Sequence, residues 1–362
     1  MKKKQNIRKL EFTKEKTASI KGVAILMMLL HHCFTSPERY KGFSICFFPF
    51  REETINSIAF FCKTCVGMFV FLSGYGMTKS FDEQNLEKSS VRRYKKLMLQ
   101  YIYIFLFCQI FCFFYDKRQL KIYKGGILQG IIEFVLDGMG LADLFGTPML
   151  VATWWYMSLS IVLIVTIPII LFLYNKIGTM VIPIVILLPR AIGLEVTDTN
   201  IIRYLLAFTL GIVCAKENLF ERISLIQFFR EKIVDKGVRI GVEIIILYIL
   251  YRVRSNGNMW KYYELCDGII PSYVVYFCFD VICAIKILQP ILQYLGKHSM
   301  NIFLIHSFIR GIYFKKFLYG LTYAPLIFVF LLGSSLIVSI AINAIESTLK
   351  KHIKLKHKNV IV

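Results

Sequence analysis

The chain has 362 residues, of which 56% are hydrophobic, 15% aromatic and 19% charged, with a formal net charge of +21. Soluble proteins carry closer to about a quarter charged residues, and apolar windows of roughly 17–25 residues, the length a bilayer demands of a helix, recur along the whole chain. This excludes a string of soluble domains and predicts one all-α integral membrane domain over 1–350 with a basic tail over 351–362. The positive balance is read as basic residues gathered in cytoplasmic loops, not as a nucleic-acid footprint, because no soluble fold is available to present it.

Ten spans are predicted near 18–36, 56–78, 97–115, 152–174, 178–194, 200–215, 238–253, 267–288, 298–315 and 323–345. The segment 122–140 is a weaker eleventh; with Glu133, Asp137 and several glycines it reads as a partly buried or re-entrant piece of a long loop. The first 16 residues are polar and basic, and the apolar run after them lacks a small-x-small cleavage site. It is therefore expected to stay in the membrane as the first span. Lys2-Lys3-Lys4, the run from Arg92 to Lys96 and the tail from Lys350 to Lys358 fall on one side, as do the segments 79–96, 175–177, 216–237 and 289–297. The opposite loops hold Glu38, Glu52, Glu53, Asp143, Glu195, Asp198 and Glu264. Positive-inside asymmetry then places both termini in the cytoplasm. No internal repeat is visible; Pro183 and Pro189 break the fifth span without a counterpart elsewhere. Most of the ten cysteines lie in apolar segments, and Cys62-x-x-Cys65 has no second pair, so neither a metal site nor a disulfide framework is expected.

Within the first span, Lys21 and His32 are eleven residues apart. At 3.6 residues per turn they share a face to within roughly 20°, about 16 Å apart along the axis. His31 points about 80° away from Lys21, so helix geometry favours His32 as its partner. Ionisable groups inside a span are functional candidates, and a neutral imidazole can serve as a general base near pH 7. Lys21 alone reads equally as a boundary lysine that snorkels. The second span ends Phe69-Val70-Phe71-Leu72-Ser73-Gly74-Tyr75-Gly76; its small residues favour close helix approach, and Ser73 reads as a packing or hydrogen-bonding residue before a nucleophile. Arg92, Arg93, Lys95 and Lys96 are either a positive-inside anchor or a phosphate site. Trp154-Trp155-Tyr156 opens the fourth span as an aromatic belt, with stacking on a sugar acceptor as the sharper alternative. His306 is read as either a hydrogen-bonded structural histidine or a catalytic one.

Taken together, these motifs resemble the membrane acyltransferase 3 family, which includes O-acetyltransferases of bacterial surface glycans. The matching features are Lys21-x10-His32, Phe69-x-Phe71-Leu72-Ser73-Gly74, the basic run at Arg92–Lys96 and Thr153-Trp154-Trp155-Tyr156. Phe208-x-x-Gly211 and Leu295-Gly296-Lys297-His298-Ser299 running into Leu304-Ile305-His306 complete the set, in family order over nearly the whole chain. The resemblance implies ten spans in the plasma membrane, an acyl-CoA donor (acetyl-CoA expected) on the cytoplasmic side, and a glycan acceptor on the other. Envelope polysaccharide assembly machinery is an expected partner beside membrane lipid, and no permanently bound cofactor or metal is expected. The family's histidine maps to His32 and its first-span basic residue to Lys21, where arginine is common. Its arginine pair maps to Arg93-x-x-Lys96, with lysine in the second place, so bidentate recognition is weakened while charge is kept. No extra hydrolase-like domain is expected. On this reading His32 is the general base, while Lys21, Arg92, Arg93, Lys96, Ser73, Trp154, Trp155 and His306 contact substrate. Ser73, Tyr75 or a tryptophan N–H would supply the oxyanion donor. A transporter or flippase of a lipid-linked glycan is the alternative, and a non-catalytic assembly partner a third.

Overall fold

The computed structural model describes residues 11–194, 196–197, 199–255 and 262–359, with side chains through 348. Lys2-Lys3-Lys4, Glu195, Asp198 and residues 360–362 lie outside the described residues, as do the side chains of Lys350 to Lys358. Twelve helices carry the argument: α1 Lys14–Phe34, α2 Glu52–Phe61, α3 Cys65–Ser80, α4 Leu86–Tyr115, α5 Gly126–Gly138, α6 Trp155–Ile177, α7 Val181–Ala191, α8 Ile201–Glu217, α9 Lys232–Ser255, α10 Tyr263–Asp280, α11 Leu288–Ser307 and α12 Ala324–Asn359. Among the described residues the only extended pairing is an isolated bridge between Cys46 and Tyr323.

Each of the ten apolar windows falls on helix. Among the described residues six stretches are long and apolar enough to cross a membrane: Lys14–Phe34, Glu52–Ser80, Leu86–Tyr115, Ala152–Ala191, Tyr263–Ala284 and Ala324–Thr348. The fourth of these contains both α6 and α7, joined through a 3-10 turn at Gly178–Met180. The remaining windows are helical but shorter or more polar. Helix α8 has 17 residues, α9 carries Asp235, Glu243 and Arg254, and α11 carries Lys297, His298 and Asn301.

Besides the expected turn at 175–177, which is the end of α6, two expected loops are helical instead. Arg92–Lys96 lies inside α4, and 289–297 lies inside α11. The first has neither glycine nor proline and is rich in strong helix formers. In the second, Pro290 sits in the first turn of α11, where its missing N–H costs nothing. Helix starts are set by side-chain caps: Thr13 accepts from the Lys16 N–H at 3.3 Å before α1, and Asn200 accepts from the Arg203 N–H at 3.3 Å before α8.

The chain divides into two compact units, each described by itself. The first comprises 1–42, 47–90 and 162–299; the second comprises 43–46, 91–161 and 300–362. In the first unit α3, α8 and α10 pack against one another, and α1 lies against α2, α3 and α10. Helix α9 packs on α2 and α10. Its buried residues are all charged, Asp235, Glu243 and Arg254, while Val242, Ile244, Ile245 and Ile249 are exposed. This inversion of the usual soluble pattern suits a helix whose outer face meets lipid.

The second unit is centred on Trp154, which is 1% exposed and meets the rings of Tyr101, Phe105 and Phe308 at 5.5, 6.0 and 6.1 Å. Gln100 donates to Asn301 at 3.1 Å and Asn301 to Asn343 at 2.8 Å, which links α4, α11 and α12. The segment 122–140 contains α5, whose acidic residues turn inward. Asp137 Oδ2 accepts from the Leu150 N–H and the Tyr123 hydroxyl, both at 2.7 Å. Its backbone carbonyl accepts from the Tyr101 hydroxyl at 2.9 Å. Burial pushes the Asp137 carboxyl up to about 6, against the pull of those two donors. Ile127 and Leu128, on the opposite face of α5, are exposed.

Candidate functional site

In the first unit, α1 presents the lysine–histidine pair. Lys21 lies two turns inside the helix, and both Lys21 and His32 are half-buried. His31 is buried. Its Nδ1 donates to the Ala59 carbonyl at 2.9 Å and lies 2.7 Å from the Thr35 hydroxyl. That anchors α1 to α2 and commits His31 to structure. The His32 ring sits beside it, with centroids 5.2 Å apart. The position of Lys21 is set by its neighbour. A Cβ on Gly22 would overlap the backbone of Leu292, and one on Gly296 would overlap the Ala18 carbonyl. Helices α1 and α11 therefore cross backbone to backbone beside Lys21.

The Phe69–Gly74 and Phe208–Gly211 motifs form a second crossing in the same unit. A Cβ on Gly74 would meet the Phe208 carbonyl, and one on Gly211 would meet the Phe71 carbonyl. Each glycine receives the backbone of the other helix. Ser73 donates its hydroxyl proton to the Phe69 carbonyl at 2.8 Å, one turn back on its own helix. Tyr75 packs on Phe12, with ring centroids 4.4 Å apart.

One cluster in this unit was not singled out from sequence. Arg203, Arg254 and Asp267 are 3%, 5% and 2% exposed. Arg203 Nε donates to Asp267 Oδ2 at 2.5 Å, and Arg254 donates to Asp267 Oδ1. Arg203 also lies 4.4 Å from the Tyr263 ring centre, and Arg254 lies 5.9 Å from that of Phe60, the residue after Ala59. The three come from α8, α9 and α10, and only folding gathers them. The available signal was that all three are charged residues at the ends of apolar windows.

In the second unit the remaining candidates separate by environment. Arg92, Lys95 and Lys96 are exposed on α4, and Arg93 is half-buried, within electrostatic reach of Tyr156. The helix sets this: Arg92 and Lys96 are one turn apart on one face, and Arg93 is rotated about 100° from Arg92. Trp154 does not stand in an exposed belt or offer its ring to an acceptor. It fills the unit's core, and its indole N–H donates to the Leu304 carbonyl at 3.0 Å. Trp155 is half-buried against Tyr156, with ring centroids 5.9 Å apart. His306 is fully buried. Its Nδ1 lies 2.7 Å from the Phe303 carbonyl and its Nε2 lies 3.1 Å from the Ser307 hydroxyl. Ser307 in turn lies 3.2 Å from Thr153. The structure thus brings Trp154 and His306 together through the contact of 153–154 with 304–307. A π-helical turn, Phe308–Tyr313, follows directly.

The model of the acyltransferase domain of this family matches residues 19–344, nearly the whole chain. The chain belongs to the acyltransferase 3 family. Comparison with curated proteins and with solved structures gives no match. The matched region of this acyltransferase 3 member contains both glycine crossings, the α1 pair, the basic run of α4 and His306. With its apolar helices, the chain is a multi-pass membrane acyltransferase.

Proposed function

We propose that this protein moves an acyl group, acetyl in the first instance, from cytoplasmic acyl-CoA to a hydroxyl of a surface or exported glycan in the plasma membrane. The observation that carries the proposal is the family match over 19–344, which encloses Lys21 and His32 on one face of α1. On this reading ten helices span the membrane and both termini are cytoplasmic.

In the first unit Lys21 supplies positive charge for the phosphates of the donor, and in the second unit the run of Arg92, Arg93 and Lys96 offers the same chemistry. His32, about 16 Å further along α1, takes the proton of the acceptor hydroxyl. The hydroxyl oxygen attacks the thioester carbonyl and a C–O bond forms. The C–S bond then breaks, and the thiolate leaves and takes up a proton. A base in this role contributes typically about 10²–10⁴-fold. Trp155 is the aromatic surface for a sugar ring. Ser73 and Trp154 have donor protons engaged by backbone carbonyls, which favours Tyr75 or the Trp155 N–H among the candidate oxyanion donors. Support for His32 over His31 comes from the bond His31 makes to Ala59.

The test compares ester-linked acyl groups on surface glycans by NMR in cells with the protein, without it, and with His32→Ala. Loss of one acyl ester in both altered strains is expected. An unchanged acyl content in the His32→Ala strain sinks the enzymatic assignment of His32. Unchanged acyl content on deletion, combined with no acetyl-CoA binding by the purified protein, favours a transporter or flippase.

A further inference from the structure

The π-helical turn Phe308–Tyr313, which follows α11 in the second unit, carries an arginine outside the mechanism above. Arg310 is half-buried, and its Nε is buried without a hydrogen-bond partner. Among the described residues no carboxylate pairs with it. The acid that this turn touches is engaged by other groups. Asp116 accepts from the Tyr313 hydroxyl at 2.9 Å and from the Arg118 N–H at 3.1 Å, and it lies 3.9 Å from Lys121. Asp137, the buried acid of the unit, accepts from Leu150 and Tyr123.

A line of rings leads from Arg310 to Trp155, the sugar surface of the proposed function. Arg310 lies within electrostatic reach of His306. The His306 ring centre is 6.2 Å from that of Phe303, Phe303 is 5.6 Å from Tyr156, and Tyr156 is 5.9 Å from Trp155. Gly311, the next residue, has nothing within 4 Å of the place its Cβ would take, so the turn has open space beside it. On the proposed topology the end of α11 and the start of α6 both face outward, toward the acceptor. An ionisable side chain in an apolar helix is costly and marks a functional position, and π-turns occur frequently at such positions. A guanidinium is a planar fork that matches the oxygens of a carboxylate or a phosphate.

We propose that Arg310 binds an acidic group of the acceptor, a carboxylate or a phosphate, and so selects anionic glycans over neutral ones. This rests on the reading of the chain as a glycan acyltransferase with Trp155 as its sugar surface. A neutral glycan would leave the guanidinium unpaired, and that difference is the source of the selection.

The test uses the full-length protein in phosphatidylcholine nanodiscs without acyl-CoA. Binding of methyl glucuronoside, glucose 1-phosphate and neutral methyl glucoside is compared by saturation-transfer NMR at equal ionic strength. An acidic sugar is expected to bind about tenfold more tightly than methyl glucoside, the scale of one charge-assisted pair. Arg310→Gln should remove that preference and Arg310→Lys should keep part of it. Equal binding of acidic and neutral sugars, no binding of either acidic sugar, or a preference that survives in Arg310→Gln overturns the proposal. If Arg310→Gln does not fold, Gly311→Phe fills the open space and keeps the charge, and an unchanged preference in that variant overturns it equally. A second arm uses phosphatidylglycerol nanodiscs. Arg310-dependent stabilisation by that lipid, with no acidic-sugar binding in phosphatidylcholine, overturns the proposal in favour of a lipid headgroup. Sugar binding is read without acyl transfer, so the two readings fail separately. Acyl esters lost on deletion with no acidic-sugar preference sink the role of Arg310 alone. An Arg310-dependent preference with acyl esters unchanged on deletion supports the anion site and sinks the transferase reading.

Discussion

Gly211 of α8 lies directly against the carbonyl of Phe71 on α3, with no room for a methyl group. Gly74 returns the contact against Phe208. The glycines of the Phe69–Gly74 and Phe208–Gly211 motifs are thus the residues that let two helices touch. In a bilayer, where lipid is as apolar as the helix surface, such close approach is a main source of association.

Gly211→Ala and Gly74→Ala are expected to lower thermal stability in detergent, each by an overpacking cost of about 1–3 kcal/mol. Gly76, on the same helix as Gly74, has open space where its Cβ would be. Gly76→Ala serves as the control and should be neutral or slightly stabilising, since alanine is the better helix former. Equal melting temperatures for all three variants would show that the crossing is not tight.

The two adjacent histidines should separate by phenotype. His32→Ala is expected to fold normally and lose about 10²–10⁴-fold in acyl transfer. His31→Ala removes a buried bond to the Ala59 carbonyl and should cost about 1–3 kcal/mol of stability. Turnover per folded molecule should survive that change. A reversed pattern in activity and melting measurements would reassign the base.

Lys21 is open to a kinetic split. As a phosphate anchor, Lys21→Met should raise KM for acyl-CoA and Lys21→Arg should restore it. As a membrane-boundary lysine, neither change should alter KM. Steady-state kinetics with varied donor decides between the two.

Breaking the buried ion cluster should be costly. Asp267→Asn leaves Arg203 and Arg254 without their shared carboxylate, and removing one partner of a buried ion pair costs about 3–5 kcal/mol. Adding Arg254→Met to Asp267→Asn removes one stranded charge and should recover part of the loss. Thermal unfolding of the single and double variants gives the comparison.

The pH dependence of the α5 segment follows from Asp137. Burial lifts its folded value to about 6, above the ordinary 3.8 of an aspartate. The folded segment therefore holds the proton more tightly than the unfolded one. The resulting stabilisation is full below the lower value and is lost as pH rises toward and through about 6. Hydrogen exchange over 126–150, corrected for intrinsic rates, should be slower at pH 5 than at pH 7. Asp137→Asn should abolish that difference; a difference that persists assigns the effect to another group.

Sequence alone determined the helical class, the apolar windows and the family. Each depends on features the chain carries locally: hydrophobic run length, charge at run ends, and motif order. Periodicity also separated His32 from His31, because two neighbours on a helix must point about 100° apart. The hydropathy pattern starts the third span only after the basic run, whereas α4 begins at Leu86, because a lysine- and arginine-rich stretch without glycine or proline continues a helix at no cost. Tertiary structure alone decided which polar groups are consumed inside the protein. The Trp154 N–H is taken by Leu304, which is 150 residues away, and Arg203 and Arg254 converge on Asp267. No local pattern encodes these outcomes, because each depends on helices distant in sequence closing on the same buried place, where every polar group must find a partner or give up its charge.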